Sequence, residues 1–212
     1  MIDYRLYLVT DDPSRYTGNW LDNVVAAVEG GVTCVQYRDT ESPRQMQYER
    51  ILKLRDALGK TPVIVNNDAE LAASVKAEGV HVGQNDMPVE QVRGIVGPAC
   101  EIGLSITALS QLSAPNVGIA DCLGIGPVFD ARKTKADASD ALGTSELRRI
   151  IDAIDSHTSR AERLASVAIG GITLENAAEV LATGVGGLAV VSAFSKASDP
   201  CSVAKSFLSL FR

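Results

Sequence analysis

The chain has 212 residues, 46% of them hydrophobic and 22% charged, with a formal net charge of −6 at pH 7. That length and balance suit one well-buried domain over residues 1–212 and exclude a disordered chain. The acidic balance argues against a nucleic-acid partner, which needs a basic face, but leaves room for small anionic ligands in a local pocket of Arg, Lys and helix N-termini.

No apolar run reaches the roughly 20 residues needed to cross a bilayer. The start, Met1-Ile2-Asp3-Tyr4-Arg5, lacks the basic segment and apolar core of a signal peptide. Cys34, Cys100, Cys122 and Cys201 lie far apart, in no CxxC or metal-ligand spacing, and read as free thiols. A cytoplasmic protein with no membrane partner is expected.

Taken in chain order, strands are expected at 5–10, 33–37, 62–65, 79–82, 101–105, 121–125, 166–169 and 187–191. Most are short, Val- or Ile-rich and apolar on both faces, as parallel strands covered by helices are. Amphipathic stretches fall between them at 21–28, 43–58, 68–76, 89–96, 108–112, 145–154 and 174–181, with a last one at 202–211. Gly30-Gly31, Gly59 and Gly184 follow three of them as helix-ending signals. Eight βα units in sequence is the count of a (β/α)8 barrel, the α/β TIM-barrel fold, here with tighter connections than in the usual ~250 residues. An open doubly wound sheet competes less well, because Thr10-Asp11-Asp12-Pro13 rather than GxGxxG follows the first strand. The connection over about 126–144 stands apart as long, polar and charge-dense. After the sixth strand of a barrel it would overhang the active-site face as a lid.

In such a barrel the carboxyl ends of the strands collect the functional groups. Strand two ends in Gln36-Tyr37-Arg38, where alternation puts Gln36 and Arg38 on one face and the guanidinium offers a planar fork to phosphate oxygens. Strand three ends in Asn66-Asn67, strand four in Gln84 and Asp86, strand five in Ser105. The block from Gly79 to Pro88 is the most pointed of these: a short apolar run stops in Gly-Gln-Asn-Asp before a new helical pattern. Asp86 there suits either a cation or a helix cap. Ile169-Gly170-Gly171-Ile172-Thr173 and Val190-Val191-Ser192-Ala193 follow strands seven and eight, where barrels present backbone N–H groups to phosphate. His81 sits between valines and reads as a core histidine. Neither it nor His157 has a Ser or Cys partner by spacing, so no nucleophilic triad is expected.

Gln36-x-Arg38, Asn66, Gly79-Val-His-Val-Gly-Gln-x-Asp86-Met-Pro, Gly124-x-Gly-Pro127, Thr134-Lys135, Ile169-Gly-Gly-Ile172 and Val191-Ser192 together resemble the thiamine-phosphate synthase family. The likeness runs from the first strand to the last. It implies a (β/α)8 barrel that condenses 4-amino-2-methyl-5-pyrimidine methyl diphosphate with a thiazole phosphate, giving thiamine phosphate and diphosphate with Mg²⁺. By resemblance, Gln36, Arg38, Asn66, Ser105 and Lys135 hold the pyrimidine diphosphate, with Thr40 at the edge of that site. Arg38, Ser105 and Lys135 carry catalysis. Arg132, Lys133, Thr134, Gly171, Val191 and Ser192 face the thiazole phosphate, and Asn67 and Asp86 the metal. The chemistry agrees: positive charge would neutralise the departing diphosphate, and no side-chain nucleophile is needed.

The chain departs from the family at several places. Thr40 stands where the family has Lys, Asn67 where it has Asp, and Thr107 where it often has His. The loop motif Thr-x-Thr-Lys becomes Arg132-Lys133-Thr134-Lys135. Arg132 or Lys133 is expected to supply the charge lost at Thr40. A divergent paralogue is the alternative: a thiazole tautomerase-like enzyme, or a non-catalytic phosphate-ligand-binding barrel. A homodimer is compatible with this composition.

Overall fold

Short apolar segments close into a ring. A computed structural model describes residues 1–132, 139–157 and 164–211. Its strands are β1 (Leu6–Val9), β2 (Cys34–Tyr37), β3 (Val63–Asn66), β4 (Gly79–Val82), β5 (Glu101–Ile106), β6 (Cys122–Ile125), β7 (Ala165–Ile169) and β8 (Gly187–Val190). They pair in parallel, each with the next in sequence, and β8 returns to β1 to close the barrel. Every connection is therefore a crossover, and the helices end up outside the ring.

The helices are α1 (Trp20–Glu29), α2 (Arg44–Leu58), α3 (Ala69–Ser74), α4 (Val89–Val96), α5 (Gly143–His157), α6 (Ala177–Leu181), α7 (Ser192–Ser195) and α8 (Pro200–Leu208). Between β5 and β6 the expected helix is replaced by 3₁₀ turns, Leu109–Ser113 and Pro115–Gly118. Asn19, Asp68 and Asp199 cap α1, α3 and α8 by accepting first-turn N–H groups. α2 shows the packing rule plainly: Ile51, Leu54 and Leu58, three and four residues apart, face the barrel and are buried. No helix among the described residues is long and apolar enough to cross a membrane.

The strands bury both faces, and alternation sorts the residues into two layers. Leu8, Val35, Val63, Val65, Val80, Val82, Leu104, Leu123 and Leu188 join the helices in the outer core. Tyr4, Tyr7, Val9, Cys34, Ile64, Cys122, Val167 and Ala189 fill the barrel itself. At its amino end, Tyr4 and Tyr7 meet edge to face with ring centroids 5.7 Å apart. Glu101 accepts hydrogen bonds there from the Ile2 N–H (2.6 Å) and the Tyr4 hydroxyl (3.0 Å). The lower barrel is packed and closed apart from the Glu101 cluster at its rim, and the strand ends named from sequence lie at the carboxyl end.

Candidate active site at the carboxyl end of the barrel

The exit of β2 is held by a dense set of hydrogen bonds. Gln36 points inward, 5% exposed, and its Nε2 donates to the Tyr7 hydroxyl at 2.7 Å. Thr10, just past β1, receives the Arg38 N–H on Oγ1 (2.8 Å) and donates the same hydroxyl to the Arg38 carbonyl (3.1 Å). Asp39 then gathers the loop. Its Oδ1 accepts the N–H groups of Glu41 and Ser42, and its Oδ2 accepts the Tyr37 hydroxyl and Arg50 Nη1. Burial pushes the Asp39 carboxyl up, but the hydrogen bonds from Ser42, Tyr37 and Glu41 outweigh it and hold the group below the usual carboxylate range. Arg38 lies between these anchors, half-buried, and no acidic side chain pairs with it among the described residues. Thr40 is exposed, with its hydroxyl 3.3 Å from Glu41 Oε1.

At the exits of β3, β4 and β5 the polar residues meet through the barrel stagger. Asn66 is the register partner of His81, and Ser105 that of Gly124. His81 Nε2 lies 3.1 Å from Ser105 Oγ, while Gln84 Nε2 donates to the Ser105 carbonyl at 2.6 Å. Burial pushes the His81 pKa down to about 4 against the opposing pull of Asp86, so the imidazole is neutral at physiological pH. Asn67 is exposed and left-handed (φ 62°), a conformation Asn tolerates, and its N–H donates to the His81 carbonyl at 2.8 Å. Asp86 turns back on its own loop, with Oδ2 accepting the Gly83 N–H at 2.7 Å. Asp86 Oδ1 has no partner among the described residues.

That geometry bears on a metal. Among the described residues no three His, Cys, Asp or Glu side chains group as a metal site. Asp86 and the Asn67 amide oxygen are hard donors on the neighbouring exits of β4 and β3, carrying one negative charge between them. Such a set fits Mg²⁺ only with further oxygens from a phosphorylated substrate and water, which is the usual habit of that ion.

On the other side of the mouth, the turn after β7 braces the start of the β6–α5 connection. Val128 and Phe129 donate their N–H groups to the carbonyls of Ile169 and Gly170. Gly170 and Gly171 have φ of 100° and 65°, and a Cβ on Gly171 would lie 2.7 Å from the Cβ of Phe129. Asn176 fixes the rest of the turn by accepting the Thr173 N–H and donating to the Gly171 carbonyl. After β8, Val191 and Ser192 open α7, a short helix that the sequence reading does not anticipate. It is tied to the β1–α1 segment three times. Thr17 N–H donates to the Ser195 carbonyl, Asn23 Nδ2 to the Phe194 carbonyl, and Ser195 Oγ to Asp11 Oδ2. The Gly171 and Ser192 N–H groups meet no acceptor among the described residues.

In the 126–144 connection, Arg132 is exposed and faces Asp140 at 2.6 Å and Asp130 at 3.8 Å, so its charge is matched within its own loop. Lys133, Thr134 and Lys135 lie outside the described residues, as does the middle of the expected lid. Sequence reasoning brought Gln36, Arg38, Asn66, Asn67, Asp86, Ser105, Gly171, Val191 and Ser192 to this one end of the barrel, and the described ones are there. It missed Tyr7, Thr10, Asp39 and the pairing of His81 with Ser105. Asp39 carries the one available signal, an Asp three residues before Ser42 of a Ser-Pro helix start; the others depend on which strands become neighbours.

Comparison with known proteins follows the same line. A family profile described as thiamine monophosphate synthase matches residues 6–194. A thiamine-phosphate synthase of Desulfitobacterium hafniense (strain Y51) is 37% identical, covering 100% of this chain and 99% of its own. One from Chloroflexus aurantiacus is 41% identical, covering 99% and 94%. Among solved structures, thiamine phosphate pyrophosphorylase from Pyrococcus furiosus superposes with a TM-score of 0.83 at 31% identity, covering 98% of this chain and 95% of that one.

Proposed function

The chain belongs to the thiamine monophosphate synthase family, and from that membership we propose that its barrel mouth joins a pyrimidine methyl diphosphate to a thiazole phosphate, yielding thiamine phosphate and diphosphate. The observation that carries the reading is full-length kinship combined with an Arg38 that has no acidic partner among the described residues and sits among polar strand ends. An arginine without an acidic partner, held by its backbone to Thr10, is a ready fork for diphosphate oxygens.

The reaction asks for charge at the departing diphosphate and for alignment of two substrates. Arg38 and Lys135 neutralise the leaving group. Gln36, Asn66 and Ser105 orient the pyrimidine end, with Thr40 beside them. The backbone N–H groups of Gly171, Val191 and Ser192 bind the thiazole phosphate, to which the resemblance also assigns Arg132, Lys133 and Thr134. Asp86 and Asn67 would hold Mg²⁺, which when bound adds positive charge against the diphosphate.

No side chain acts as nucleophile. Cys34 and Cys122 are buried in the barrel, where burial raises their thiols far above the ordinary range, and Cys100 is pushed up to about 11. Thr107 shares its hydroxyl with Gln111 and supplies no imidazole, so the tautomerase-like alternative lacks its acid–base group. The free cysteines support a reducing, cytoplasmic setting.

The test is direct. Protein mixed with the pyrimidine diphosphate, the thiazole phosphate and Mg²⁺ should release thiamine phosphate and diphosphate in equal amounts. Folded protein that forms neither product with any of several divalent metals overturns the reading.

A further inference from the structure

His81 is more than filler. Its ring lies against β5 and β6 at the two inward positions that carry glycine. A Cβ at Gly103 would overlap His81 Nδ1, and one at Gly124 would lie 2.8 Å from Cε1. Any larger residue at either position would displace the imidazole. The ring is thus seated in a slot with one polar outlet, Nε2, which reaches Ser105 Oγ at 3.1 Å. Ser105 is gripped a second time from the same strand-four block, through Gln84 on its carbonyl at 2.6 Å. Nδ1 has no hydrogen-bond partner among the described residues. Nδ1 lies against the Gly103 backbone and meets no protein acceptor among the described residues, whereas Nε2 faces a hydroxyl oxygen that can accept, so the proton is placed on Nε2.

We propose that His81 is a positioning residue whose Nε2–H donates to Ser105 Oγ, turning the serine's own proton toward the pyrimidine substrate at the mouth. This rests on the synthase reading. A hydroxyl that already accepts one hydrogen bond is left to donate elsewhere, and a locked imidazole fixes the direction. Gly103 and Gly124 are part of the device, because they make the slot.

The chain has two histidines, which makes ¹⁵N NMR of histidine-labelled protein simple to assign with a His157→Gln reference. His81 should show a protonated Nε2 and a bare Nδ1, and Ser105→Ala should move the Nε2 signal while leaving His157 in place. A protonated Nδ1, or a signal indifferent to Ser105→Ala, overturns the proposal. This arm does not depend on turnover, so an inactive wild-type protein would sink the synthase reading and still leave the pairing judged.

Kinetics supplies the second arm. His81→Met keeps volume but has no N–H, and should cut kcat/KM for the pyrimidine diphosphate about 10- to 100-fold, as loss of one oriented hydrogen bond does. The KM for the thiazole phosphate should stay within about twofold, since that substrate sits on the other side of the mouth. His81→Gln can place an amide N–H near the Nε2 position and should recover to within about threefold. Gly103→Ala should reproduce the methionine variant by displacing the ring. Equal losses in His81→Met and His81→Gln, falling alike on both substrates, would reduce His81 to packing and overturn the proposal.

Discussion

Asp39 Oδ2 lies 2.7 Å from Arg50 Nη1, joining the exit of β2 to α2 across the loop that carries Arg38 and Thr40. The Asp39 side chain is 4% exposed and that of Arg50 is 25% exposed. Such a carboxylate stays ionised only because its oxygens are occupied. Removing it leaves Arg50 without its charge partner, though still bonded to Ser42 Oγ, and two loop N–H groups without their acceptor. Asp39→Ala should therefore cost about 2 kcal/mol in urea unfolding, below the range for a fully sealed pair because Arg50 reaches solvent. The KM for the pyrimidine diphosphate should rise as Arg38 loses its footing. A fully stable variant with unchanged KM would remove Asp39 from this role.

The same carboxylate sets an acid response. Its pKa is lower in the folded chain than in the unfolded one. A depressed carboxylate contributes stability that is full above the unfolded pKa of about 3.9 and is lost as pH falls through the lower folded value. Asp39→Asn should be less stable than the parent at pH 7, and its stability should fall less steeply below about pH 4. Parallel stability curves for the two proteins would contradict this.

Much of the architecture was legible because burial on both faces leaves a local mark: each strand is a short apolar run. β4 and α4 match their expected bounds. After β5 the spacing of 108–112 suits a helix, but the chain forms a 3₁₀ turn at Leu109–Ser113 because Gln111 caps it through the N–H groups of Thr107 and Ala108. α7 is too short to show a period. At the site, strand ends announced Arg38, Asn66, Asp86 and Ser105 individually, but their partners did not announce themselves. Gln36 with Tyr7 and His81 with Ser105 are joined by the stagger of the closed ring, across 29 and 24 residues of sequence. No local pattern records that stagger.

Thr40 is exposed on the loop pinned by Asp39, at a position where the resemblance implies lysine, and Arg132 is already matched by Asp140 and Asp130. Thr40→Lys should add a cation facing the diphosphate, partly offset by Glu41, whose Oε1 lies 3.3 Å from the threonine hydroxyl. Charge-assisted contacts near a surface are worth about 1 kcal/mol, or several-fold in affinity, and they fade with salt. Diphosphate titrations at low and high ionic strength should show tighter binding by the variant at low salt and convergence at high salt. Unchanged affinity at low salt would show that the position does not face the leaving group.

On the proposed reading, Gly83 and Asn67 both bear on the Mg²⁺ site. A Cβ at Gly83 would stand 3.0 Å from Asp86 Oδ2, close enough to press on the carboxylate that its own N–H now steadies. Gly83→Ala should raise the Mg²⁺ concentration for half-maximal turnover severalfold with little loss of fold, because the loop is at the surface. Asn67→Asp should move it the other way. The left-handed backbone there suits Asp nearly as well as Asn, so the substitution adds a charge without strain. A second carboxylate beside Asp86 strengthens a hard-cation site. It also raises repulsion when the ion is absent, so stability without metal should fall slightly while stability with Mg²⁺ and diphosphate rises. Metal-dependence curves that leave both variants on the parent's would detach Asn67 and Asp86 from the ion.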